Sequence, residues 1–106
     1  MRVKIGDYDQ LYCPRCGEMN LHQDIVSVFN RNEEDSETGL KAIVSRSGVN
    51  IKTDQRGNPS SRRDGMIIHF WCEHCPGHIL RLSIYQHKGT TYVDWMKPEI
   101  KEEDKP

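Results

Sequence analysis

The feature that most constrains this chain is a pair of Cys-x-x-Cys turns, Cys13-Pro14-Arg15-Cys16 and Cys72-Glu73-His74-Cys75, which between them hold all four of its cysteines. Two residues between cysteines let one tight turn aim both sulfurs at a single point. Two such turns brought together supply the four thiolates that tetrahedral zinc takes. The chain must therefore leave Cys16 and return to Cys72, across the 55 residues from 17 through 71.

Composition makes a metal staple useful. At 106 residues, 35% hydrophobic and 29% charged, the chain fits one domain with a small core. Zinc on thiolates contributes about 10 to 16 kcal/mol of apparent binding free energy in small zinc peptides, and that free energy is linked to folding. One Zn2+ per chain is the expected cofactor. Four thiols losing four protons to an ion carrying two positive charges would move the formal charge from −1 to −3. No overall basic field draws the protein onto nucleic acid, so any such attraction is local. Met1 to Asp7 holds no apolar run for a signal peptide, and no later stretch reaches membrane-spanning length. The expectation is a cytoplasmic protein without membrane association, where cysteines stay reduced.

Apart from the turns, the sequence reads as strands. Residues 1–12 are a polar lead-in compatible with an edge strand. Gly17 gives the first turn the left-handed residue it needs. Leu21–Phe29, with Ile25, Val26, Val28 and Phe29, predicts a strand. Asn30–Gly39, carrying Glu33, Glu34, Asp35 and Glu37, predicts a solvated loop. Leu40–Val44 and Val49–Lys52 predict a hairpin. Thr53–Gly65 has no apolar residue and is expected to be mobile. Met66–Cys72, apolar on both faces, predicts the central strand. Ile79–Gln86 and Thr91–Trp95 alternate cleanly about Lys88-Gly89, and a two-residue loop there pairs positions summing to 177. That register sets Ile84 against Val93, Leu82 against Trp95, and Tyr85 against Tyr92. Residues 97–106, nearly all charge and proline, predict a disordered tail after a single domain of residues 1–96.

The motif Cys13-Pro14-Arg15-Cys16-Gly17, with a second turn between a central strand and a hairpin, resembles the zinc ribbons. The resemblance covers roughly residues 12–29 and 66–95. It implies a small antiparallel sheet clamped at one end by a metal, with Cys13, Cys16, Cys72 and Cys75 as ligands. The gap between the turns departs from the usual 15 to 20 residues or so, so about residues 30–65 are an insert, read as a β-hairpin arm.

Other readings of the cysteines are weaker. Cys13 and Cys16 form a thiol-disulfide redox pair in one alternative, but such pairs use a helix N-terminus to lower the first thiol's pKa, and no helical pattern follows. His74 and His78 are close enough in sequence to replace a cysteine as ligand, although four thiolates already suffice. His69 reads as a core residue, and His22 and His87 as surface. Catalytic zinc keeps an open coordination position. The nucleobase deaminases need His-x-Glu ahead of their cysteines, and that motif is missing here. No phosphate loop or catalytic triad is visible, so the expectation is a non-enzymatic module without a small-molecule substrate. Zinc ribbons often contact nucleic acid, and Arg46, Lys52, Arg56, Arg62 and Arg63 are candidate phosphate contacts. Arg81, Tyr85 and Tyr92 are candidates for base stacking. The separate acidic and basic loops point equally to a protein partner.

Overall fold

The structure is a computed structural model and describes residues 2–97. Its strands are β1 (Leu21–Arg31), β2 (Thr38–Ser45), β3 (Gly48–Asp54), β4 (Gly65–Cys72), β5 (Leu80–His87) and β6 (Thr90–Trp95). They form one antiparallel sheet in the order β3-β2-β1-β4-β5-β6. No helix occurs among the described residues. Sequential hairpins account for every pairing except β1 with β4, which joins the two halves of the chain. Except for Lys97, the segment expected to be a tail lies outside the described residues.

The β5–β6 hairpin has the expected register, with Leu82 opposite Trp95, Ile84 opposite Val93 and Tyr85 opposite Tyr92. Lys88 (φ 49°) and Gly89 (φ 79°) are both left-handed, as a two-residue turn between twisted strands requires. β4 is central, between β1 and β5.

The insert forms a β-hairpin, as expected, and that hairpin joins the main sheet. β1 runs on to Arg31, and its residues from Val26 onward pair with β2, so the β2–β3 hairpin widens the main sheet. The lead-in does not form an edge strand. Residues 2–20 hold only an isolated bridge between Ile5 and Leu11, closed by a tight turn in which Gly6 N donates to Gln10 O and Asp9 N to Gly6 O.

Strand alternation divides the side chains between two faces. The front face carries Phe70, Cys72, Leu80, Leu82 and Trp95 at one end, and Met66, Ile68, Ile84, Val26, Val28, Ala42 and Val44 toward the other. Residues 2–20 cover only its first end, where Val3 and Leu11 pack on a core of Cys13, Cys72, Cys75, Leu80, Leu82 and Trp95. The back face is covered at the opposite end by residues 55–63. There Pro59 lies so close to Gly65 that a Cβ on Gly65 would sit 2.8 Å from the proline ring.

That loop is not the mobile segment its composition predicts. Polar residues can be buried when every donor and acceptor is matched, and here they are matched densely. Ser60 is 2% exposed. Its hydroxyl donates to Gln86 O at 2.7 Å and accepts from Arg63 N at 2.9 Å. Asn58 Nδ2 donates to Gln55 Oε1 and Arg63 O, at 3.1 and 2.9 Å. The Arg31 guanidinium donates to Ser36 O, Ser60 O and Arg63 O, at 2.5, 2.8 and 2.9 Å. Lys41 Nζ donates to Asp54 Oδ1 and Arg56 O, at 3.1 and 2.8 Å. The hydrogen bond from Lys41, then that from the Arg56 amide, hold the Asp54 carboxyl at about 2.

Candidate metal centre

Each Cys-x-x-Cys turn is shaped by its own backbone. In the first, Gly17 N donates to Cys13 O at 3.0 Å, and Gly17 is left-handed at φ 78°. In the second, Cys75 N donates to Cys72 O at 3.2 Å. Arg15 N and His74 N, each two residues past the first cysteine of its turn, point at Cys13 Sγ and Cys72 Sγ at 3.4 Å. Amides so placed stabilise thiolate charge. Glu73 N donates to Asn20 O at 3.1 Å, and His74 Nε2 lies 2.8 Å from Asn20 Oδ1. Asn20, four residues past Cys16, thus holds the second turn through both its backbone and its side chain.

The result gathers all four sulfurs, each within 4.8 Å of the others. They approach crosswise between turns, with Cys13 Sγ 4.0 Å from Cys75 Sγ and Cys16 Sγ 3.6 Å from Cys72 Sγ. These separations are too long for disulfides. They suit a shared ion, because a Zn–S distance of about 2.3 Å in a tetrahedron sets sulfurs about 3.8 Å apart. The cysteines can therefore hold a metal ion. Cys13, Cys72 and Cys75 are buried and Cys16 is exposed. Neither His74, engaged with Asn20, nor the exposed His78 belongs to the cluster.

Burial pushes the Cys72 thiol up to about 12 and also raises that of Cys75. Burial acts upward on Cys13 too, but hydrogen bonds from the Cys16 and Arg15 amides outweigh it and leave the thiol below its usual value. Arg2 and Lys4 line a cleft beside Cys13. Next to the second turn, His22 stacks on Trp71 with ring centres 4.0 Å apart, and its Nε2 lies 2.8 Å from Glu73 Oε2. Asn20, His22 and Trp71 escape a search for ligand spacing because they support the turns only once β1 lies beside β4.

The candidate nucleic-acid residues are dispersed. Arg62 is paired with Asp35 at 2.8 Å and with Glu34 at 3.2 Å, and Arg63 with Glu34 at 3.1 Å. The acidic and basic loops read from the sequence therefore neutralise each other. Arg56 lies 3.4 Å from Asp54. Arg46 is in the β2–β3 turn, where it lines a shallow cleft with Gln23 and Asp24. Lys52 is on β3 opposite Lys41. On the back of the β5–β6 hairpin, Tyr85 and Tyr92 stack on each other at 5.5 Å, and Arg81 donates to Lys97 O. No protein-family model, curated protein or solved structure matches the chain, so the metal centre rests on its geometry alone.

Proposed function

We propose that this is a non-enzymatic, cytoplasmic protein-binding module of zinc-ribbon type, its fold held by one structural Zn2+ on Cys13, Cys16, Cys72 and Cys75. The observation that carries the reading is the gathering of four sulfurs within 4.8 Å of one another, three of them buried in the apolar core. Four thiolates fill the coordination sphere, which is the pattern of structural rather than catalytic zinc. A protein partner is favoured over nucleic acid because Arg56, Arg62 and Arg63 already face carboxylates and Tyr85 already stacks on Tyr92, whereas several aliphatic side chains of the sheet remain bare.

The test is elemental analysis of protein purified without added metal, joined to thiol titration before and after strong chelation. One zinc per chain is expected, with the buried thiols reacting only after chelation. Metal-free protein with a reversible Cys13–Cys16 disulfide would instead make it a thiol-disulfide redox protein. Binding to nonspecific DNA or RNA that weakens steeply with salt would overturn the choice of a protein partner, since that slope counts phosphate contacts.

A further inference from the structure

A sheet with an apolar face is stable only when another layer covers it. Here the covering is diagonal, with residues 2–20 on the front at the Cys72 end and residues 55–63 on the back at the other end. The rest of the front face is open. Val49 is 62% exposed, Ile51 65% and Val93 49%, with Leu40 and Val44 exposed as well. These residues are contiguous, because Val49 pairs with Val44 and Ile51 with Ala42, and the row continues through Val28 to Met66 and Ile84.

At the rim of the open half, Asp24 and Arg46 line a cleft with Val26 and Val44, and Asp64 lines one with Val28, Met66 and Ile84; inside that rim the strand positions that face front are uncharged. The polar ones are Asn30, Thr53, Gln86 and Thr91. The back face, by contrast, presents Lys41, Lys52 and Arg81, and the loops beyond the strands are acidic and basic. Strands about 4.8 Å apart and about five residues tall make the open area on the order of 400 Å² in projection. A contiguous apolar patch of that size marks a contact site. Two such faces together approach the roughly 1,000 Å² of a specific interface once side-chain relief is counted.

We infer that a second copy of this chain stacks on the open half of the front face, giving a two-layered β-sandwich. This rests on the reading of the chain as a protein-binding module and names the partner. An occupant must bring an equally uncharged apolar surface of matching extent, because burying an unpaired charge against this one would be costly. The chain's own front face meets that requirement, and two sheets pack naturally face to face about 10 Å apart. The residues outside the described ones, Met1 and 98–106, contain no run of apolar side chains that could cover it. Residues 2–20 rise from the same face, so the copies clear each other when their strands run in opposite senses. The metal module of each then lies beyond the lower end of the other.

The experiment is light scattering on the zinc-loaded full chain as it elutes from a sizing column, with zinc content measured on the same fractions. The expected mass is twice 12.3 kDa. Ile51→Lys and Val44→Lys alter exposed positions and are expected to halve that mass while keeping the strand circular dichroism and one zinc per chain. A wild-type monomer would overturn the inference, as would a dimer that persists in both folded variants. Zinc content separates the two failures: a zinc-replete monomer sinks the dimer alone, whereas protein without metal sinks the module reading itself. Should the variants not fold, mixed isotope-labelled wild type must show intermolecular contacts among the Val44, Val49 and Ile51 methyls. Their absence there would equally overturn the inference.

Discussion

Metal binding at the cysteine cluster is expected to depend on pH through Cys72 and Cys75. Their thiols lie above the usual range because burial penalises the thiolates, Cys72 reaching about 12, so both hold protons at neutrality until a metal displaces them. Metal affinity must then rise with pH and fall with acid, by about tenfold per pH unit for each proton released. With at least these two released, the apparent zinc affinity near neutrality is expected to grow at least about a hundredfold per pH unit. Competition with a chromophoric chelator at several pH values measures it, and a slope of zero would show that the thiols are already ionised. The cysteine cluster was legible from spacing alone, since Cys-x-x-Cys carries its chemistry locally. Arg31 was not legible. Its three acceptors, Ser36 O, Ser60 O and Arg63 O, belong to two loops on either side of β2 and β3, and nothing within a few residues of Arg31 announces them.

At the scale of elements, strands whose pattern is local were readable, and the loop whose order is tertiary was not. The alternation of Leu80, Leu82 and Ile84 with Arg81, Ser83 and Tyr85 and the Lys88-Gly89 turn determined the β5–β6 register to the residue. Residues 53–65 misled because composition reports only apolar burial, whereas this loop is held by hydrogen bonds and by one close approach, Pro59 on Gly65. That approach is testable. A Cβ on Gly65 would lie 2.6 Å from Asn58 Oδ1 and 2.8 and 2.9 Å from the Pro59 ring, so Gly65→Ala must lift the loop from β4. The cost of such overpacking is about 1 to 3 kcal/mol. Urea unfolding of the zinc-loaded protein should show that loss, and hydrogen exchange should show Ser60 and Arg63 amides losing protection before those of β5. An unchanged midpoint would mean that the loop does not seat on Gly65.

Across the whole molecule, the cysteine cluster and the sheet share one buried core. Three of the four clustered cysteines, Cys13, Cys72 and Cys75, are themselves members of the buried cluster with Leu80, Leu82 and Trp95. Outside that cluster the only buried apolar side chains among the described residues are Phe29 and Ile67, both on the back face. Opening the metal end therefore removes most of the front-face core. A small domain is stable by about 5 to 15 kcal/mol, and the apparent contribution of thiolate-bound zinc, about 10 to 16 kcal/mol, matches or exceeds that margin. Chelation at neutral pH is accordingly expected to collapse the amide spectrum everywhere, including Phe29 on the far half of β1 and Ile43 on β2, with readdition of zinc restoring it. Cys13→Ser and Cys72→Ser should give the same collapsed spectrum with zinc present. If instead only residues 2–20 and 72–79 shifted on chelation while Phe29 and Ile43 kept their positions, the sheet would be stable on its own. The metal would then be a local clamp on residues 2–20, and the open front face would survive in the metal-free protein.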